Sequence, residues 1–124
     1  MKRDMDLVRN MLLRMEESEK IRNGSGILSD LANDVVLNGH LEMLADAGFL
    51  EQKNWKPHPD GVTMRMGWRI TWAGHEFIDT VRDPEIWQKT KAGAEKLGSW
   101  TIKLLADMAT GFIRAKAQEL GLPL

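Results

Sequence analysis

The run from Val62 to Ile70 sets the tightest limit on the fold. Val62, Met64, Met66, Trp68 and Ile70 alternate with Thr63, Arg65, Gly67 and Arg69. A period of two places successive side chains on opposite faces of a strand and does not fit the 3.6-residue period of a helix. Such a strand needs a partner, and Phe49-Leu50-Glu51-Gln52-Lys53 reads as one. Between them, Lys56-Pro57-His58-Pro59-Asp60-Gly61 reads as a turn. Its prolines have no N–H to give a ladder, and Asp-Gly favours chain reversal.

Helices flank this pair on both sides. Asp34 to Ala47 is a helix whose buried side is expected at Leu37, Leu41, Met43, Leu44 and Ala47. Gly48 falls where a left-handed residue closes a helix. After the second strand, Thr71 is a suitable N-cap for a helix with Ala73, Phe77, Ile78 and Val81 on its apolar side. Upstream, residues 6 to 17 carry Leu7, Val8, Met11, Leu12 and Met15 as one stripe, with Asp6 as the expected cap. Asn23-Gly24-Ser25-Gly26 reads as a loop. Ile27 to Ala32 reads as a short helix capped by Ser29 or as a brief extended piece. Three helices, a strand pair and a further helix, in that order, predict a winged helix-turn-helix, mainly α with a small β wing, over residues 1–82.

Residues 83–124 read as a C-terminal helical extension. Asp83-Pro84-Glu85 restarts a helix with a cap, a proline at the first position and an acid in the first turn. Ile86, Trp87 and Leu97 are its apolar residues, and Gly98 ends it. Ser99 is the expected cap of a last amphipathic helix over about residues 99–120. Trp100, Leu104, Leu105, Met108, Phe112 and Ile113 lie on its broad apolar arc, with Ala109 between them. Lys103, Asp107, Thr110 and Arg114 form the narrow polar arc.

Composition excludes several function classes. The chain of 124 residues has a formal charge of −1, so no global field draws it to nucleic acid. It has no cysteine, hence no disulfide, thiolate nucleophile or cysteine-held zinc. The charged start, Lys2-Arg3-Asp4, does not resemble a signal peptide, and no run of about 20 apolar residues suggests a spanning helix. A cytoplasmic location, with membrane association on activation, is the expectation.

Two motifs occur together: His40-Leu41-Glu42-Met43-Leu44 leading into Ala47-Gly48-Phe49-Leu50, and Ile70-Thr71-Trp72-Ala73-Gly74-His75-Glu76-Phe77-Ile78-Asp79. With the opening Met1-Lys2-Arg3-Asp4-Met5-Asp6-Leu7-Val8-Arg9 and the Arg82-Asp83 junction, they resemble a bacterial and prophage family known as domain of unknown function 2513. The resemblance runs from the start to about residue 114. It implies a winged-helix core and a frequent home in prophages and mobile elements. It implies no activity and no catalytic residues.

The residues carry no catalytic or metal signature either. His75 stands beside Glu76, but position 79 is Asp79, so the HExxH spacing is absent. His40 and His75 read as capping or packing residues, and His58, between two prolines, as solvated. No phosphate-cradling glycine loop occurs. The expectation is a non-enzyme without cofactor or metal.

Charge then separates the binding readings. From Asn23 to Gln52 there is no Lys or Arg, while Asp30, Asp34, Glu42, Asp46 and Glu51 give a net of −5. Asp34, Asn38, Glu42 and Asp46 recur every four residues and form one outward stripe on the helix that would read DNA. Phosphates repel that stripe. The wing is the opposite: Lys53, Lys56, Arg65 and Arg69 against Asp60 give a net of +3, with Trp55 among them. The sequence therefore predicts a prophage-associated interaction protein that assembles with itself or docks on a phage or host protein, with a role in phage defence. The acidic stripe is its partner-binding face, head-to-tail contact with a basic wing is one mode, and the last helix serves oligomerisation or membrane contact. The alternative is a winged-helix DNA-binding regulator that uses its basic wing.

Overall fold

A computed structural model describes residues 2–18, 25–52, 55–57, 63–65 and 67–124. The described elements are α1 (Met5–Glu17), α2 (Ser25–Leu28), α3 (Asp34–Asp46), β1 (Leu50–Gln52), β2 (Trp55–Pro57), β3 (Thr63–Arg65), β4 (Trp68–Ile70), α4 (Trp72–Val81), α5 (Pro84–Leu97) and α6 (Ile102–Glu119). The chain is mainly helical with small antiparallel strand pairs. It divides into two compact units, Met1–His75 and Glu76–Leu124.

In the first unit, α1 buries Met5, Leu7, Val8, Met11, Leu12 and Met15. That is the predicted stripe with one residue, Met5, added at its start. The cap is Asp4 rather than Asp6: the Asp4 carboxylate accepts the N–H of Leu7 at 3.1 Å. Asp6 falls inside the first turn, where an acid also complements the positive helix end. Ser25 and Gly26 open α2 instead of ending a loop, while Asn23 and Gly24 lie outside the described residues. Arg14 of α1 then fastens the turn after α2. Its Nη1 donates to the Ile27 carbonyl at 2.9 Å and to Asp30 at 2.7 Å, and its Nη2 reaches the second Asp30 oxygen at 3.2 Å. This forked contact holds the Asp30 carboxyl below the usual carboxylate range and pushes the Arg14 guanidinium up.

α3 starts on Asn33, whose side chain accepts the N–H of Val36. It ends at Gly48, which has φ +83°, a conformation glycine adopts without a Cβ penalty. Leu37, Leu41 and Leu44 are buried, as expected. Met43 is only half-buried and Ala47 is exposed. His40 takes the inward position instead, because it lies one turn from both Leu37 and Leu44.

The strands form two ladders in one register. β1 pairs with β4 through Leu50–Ile70, Glu51–Arg69 and Gln52–Trp68. β2 pairs with β3 through Trp55–Arg65, Lys56–Met64 and Pro57–Thr63. The first pairing extrapolates onto the second without a slip, so both ladders belong to one hairpin path. Lys56 and Pro57 therefore extend a strand rather than the turn. Lys53, His58, Pro59, Asp60, Gly61, Val62 and Met66 lie outside the described residues. Gly67 has φ +118°, a backbone conformation that suits glycine where the alternating strand restarts.

Thr71 caps α4 as predicted and does one thing more. Its Oγ1 accepts the Gly74 N–H at 3.1 Å, and its hydroxyl donates to the Gly48 carbonyl at the end of α3. Gly74 packs so closely that an added Cβ would stand 2.7 Å from Ile70 Cγ2 and against the Phe49 carbonyl. Ala73, placed on the apolar side from sequence, is exposed; Gly74 holds that inward position.

In the second unit, Asp83 caps α5 by accepting from Glu85 and Ile86. Gly98, at φ +67°, closes it. Leu97 is exposed rather than buried. α6 begins later than expected: Thr101, not Ser99, accepts from Leu104 at 3.2 Å. α5 and α6 pack as a pair, and Lys116 Nζ reaches Asp83 at 2.7 Å, so the two helices run antiparallel.

Candidate functional site

His40 lies at the centre of the first unit and is fully buried. Its Nε2 accepts the backbone N–H of Asp4 at 3.0 Å, and its Nδ1 stands 2.8 Å from the Val36 carbonyl. A backbone N–H only donates and a carbonyl only accepts, so the ring is the neutral Nδ1–H tautomer. Both nitrogens are occupied, Nε2 in holding the start of α1 to α3 and Nδ1 within α3, in keeping with the capping or packing role read from sequence. His75 is half-exposed, with Nδ1 3.6 Å from Glu16, beyond hydrogen-bond length. No group of three or more His, Cys, Asp or Glu able to hold a metal occurs among the described residues. Every buried side-chain polar atom among them has a hydrogen-bond partner.

The outward face of α3 is different. Asp34, Asn38, Glu42 and Asp46 are all exposed. At about 100° per residue, the buried positions Leu37, His40, Leu41 and Leu44 centre about 190° away from Val35. Val35 is accordingly 79% exposed and lies angularly between Glu42 and Asp46. The same offset on α4 sets Trp72 opposite Phe77, Ile78 and Val81, and Trp72 is 82% exposed. Trp72 follows the Thr71 link to Gly48, so it stands at the C-terminal end of α3. Val35 and Trp72 were not singled out from sequence as surface residues. The same wheels identify them, once read for the apolar residue on the wrong side.

Among the described residues, the α3 carboxylates form no ion pair. Elsewhere six carboxylates are paired: Asp30 with Arg14, Glu51 with Arg69, Asp79 with Arg82, Glu85 with Lys89, Asp107 with Lys103 and Asp83 with Lys116. The Arg69–Glu51 pair joins opposed residues of β4 and β1, so one of the cations expected of a basic wing is neutralised within the strand pair. Trp55, Lys56 and Arg65 fall on β2 and β3, and Lys53 lies outside the described residues.

On α6, Leu105 and Ala109 are buried, and Leu104, Met108 and Phe112 are half-buried. Ile113 is exposed, and Trp100 precedes the helix. Leu120, Leu122 and Leu124 are exposed beyond its end. There Gly121, at φ +79°, lets the Leu122 N–H return to the Ala117 carbonyl. No helix among the described residues is long and apolar enough to cross a membrane.

These features define a small, mainly helical chain with a short antiparallel hairpin and a polar-apolar helix face turned outward. The chain belongs to the family described as "Hypothetical protein (DUF2513)", which matches residues 2–100. A Haemophilus influenzae protein described as an "Uncharacterized protein" is 29% identical over 94 residues, covering 73% of this chain and 76% of that one. No solved structure matches.

Proposed function

We propose that this chain is a non-enzymatic winged-helix interaction protein of the cytoplasm, which docks on a phage or host protein or on copies of itself. The element order supports the winged-helix reading: α1, α2 and α3 precede a hairpin whose two ladders share one register, and α4 follows. One observation carries the functional reading. The outward face of α3 presents three carboxylates unpaired among the described residues, and α3 has no Lys or Arg. In a winged helix this element would enter the major groove, where phosphates repel such a face. Protein surfaces impose no such penalty, and fold alone does not choose between the two ligands. The prophage setting, and with it a role in phage defence, follows from what the sequence resemblance implies. α6 serves as an oligomer surface: part of its apolar arc packs on α5, and Ile113 with the leucines after Glu119 is left for a neighbour or a membrane surface.

A gel shift with duplex DNA at 50 and about 200 mM salt, run beside light scattering and capture from phage-infected cells, tests the reading. Absent or weak DNA binding with a protein complex is the expected result. Tight DNA binding that falls steeply with salt would establish the wing-led regulator instead.

A further inference from the structure

We infer that His40 is a proton-operated latch: taking up a proton at Nε2 frees the first turn of α1 from α3 and leaves the rest of the first unit folded. The inference is independent of which partner the chain docks on. Among the described residues, His40 is the one titratable side chain in the buried core. Histidine is also the side chain whose charge ordinarily changes between about pH 5 and 8. The Nδ1–H of His40 is committed to the Val36 carbonyl inside α3, so a second proton has one place to go. That place is Nε2, whose lone pair accepts the Asp4 N–H at 3.0 Å. Protonation turns this acceptor into a donor, and two donors then face each other across a hydrogen-bond distance.

The surroundings offer the new N–H no free acceptor. α2 has no titratable side chain, and β1 has only Glu51, which is exposed and paired with Arg69. On α3 itself, Asp34, Glu42 and Asp46 are exposed. On α1, Asp6 and Glu17 are exposed, Arg9, Arg14 and Glu16 are half-buried, and Arg14 is held by Asp30. Ahead of α1 stand Lys2 and Arg3, both exposed cations, and then Asp4. The Asp4 carboxylate is the anion at the broken link, and it already accepts the Leu7 N–H as the α1 cap. If it turns to the imidazolium it gives up that cap, and if it stays the charged ring is left unpaired. Both courses undo the first turn. The opening is local because α1 has a second fastening. Near its other end, Arg14 donates to the Ile27 carbonyl and to Asp30, whose carboxyl is held low by that contact and stays charged at pH 5. Asp4 is exposed, so its released N–H turns to water.

The test is nuclear magnetic resonance of the full chain, labelled with nitrogen-15, from about pH 7.5 to 5. The imidazole nitrogen shifts of His40 report its charge. Amide exchange, corrected for its own dependence on pH, reports protection. Asp4 protection should fall about tenfold as the ring takes up its proton, the worth of one hydrogen bond, while amides in the middle of α3 keep theirs. His40→Gln keeps a side-chain oxygen for the Asp4 N–H and does not titrate, so its Asp4 protection should be level with pH. His75→Gln removes the other described histidine and should respond as the unaltered chain does; a level response there would overturn the inference. An Asp4 amide that keeps its protection once the His40 ring is charged would overturn it too, as would a ring that stays neutral to pH 5. So would loss of protection throughout α1 and α3 together, since that is unfolding of the unit and not release of one turn. A His40→Gln chain with the full pH response would contradict it in the same way. Where His40→Gln does not fold, the ring and amide readings on the unaltered chain decide alone.

Discussion

Replacing His40 separates packing from hydrogen bonding at the centre of the first unit. In His40→Phe the volume is nearly kept, and two hydrogen bonds are lost. The Val36 carbonyl still accepts within α3, so only the Asp4 N–H is orphaned. Asp4 is exposed, and water can reach that N–H once the ring is gone. The cost therefore sits low in the range for an unsatisfied donor, about 1–1.5 kcal/mol. His40→Ala adds the cavity left by a fully buried ring, and its total cost is about 3–4 kcal/mol. Urea unfolding followed by circular dichroism measures both, with hydrogen exchange at the Asp4 amide as a local probe. The Asp4 amide should exchange faster in both variants. A His40→Phe variant as stable as the parent, with the Asp4 amide still protected, would refute the assignment of the ring as the link between α1 and α3.

Three further outcomes follow from particular contacts. Gly74→Ala should destabilise by about 2–3 kcal/mol or leave the chain unfolded, because the new Cβ meets the Phe49 backbone as well as Ile70; thermal melts read this. Asp46→Lys should stabilise the chain by about 0.3–1 kcal/mol in low salt by complementing the α3 dipole, an effect that shrinks in 0.5 M salt. The Asp83–Lys116 pair sets a pH window. The Lys116 ammonium, then the N–H groups of Ile86 and Glu85, hold the Asp83 carboxyl below its ordinary 3.8, and Asp83 raises Lys116 above its ordinary 10.5. The Asp83 contribution is present above the unfolded carboxyl value and lost as pH falls through the lower folded one. The Lys116 contribution is full below its unfolded value and lost as pH rises through the higher folded one. The melting-point gap between the parent and Lys116→Gln should thus be level from about pH 5 to 9, and should close in acid below about pH 4. A gap that persists unchanged at pH 3 would contradict the pairing.

Much of this fold was legible because its signals are local. The α1 stripe, the Gly48 and Gly98 ends, the Thr71 and Asp83 caps and the alternation toward Ile70 each depend on residues within one or two turns. What escaped depends on partners far along the chain. Asp4 rather than Asp6 starts α1 because the Asp4 N–H is held by His40, 36 residues away. Gly74 rather than Ala73 faces inward because Phe49 and Ile70 leave no room for a Cβ. Thr101 displaces Ser99 as the α6 cap, since the α5 closure at Gly98 carries the Ser99 N–H back to the Ala94 carbonyl. The acidic stripe was legible from spacing alone. Val35 and Trp72 were not, because an apolar residue reads as core until the wheel places it opposite the buried side.

The central claim is that α3 faces a protein and not DNA. A photo-crosslinking amino acid at Asn38, irradiated in living cells with and without phage infection, tests it at the surface itself. The account predicts an adduct that protease removes and nuclease does not, and none from the same group placed at Lys103. An adduct at position 38 that nuclease removes would contradict it.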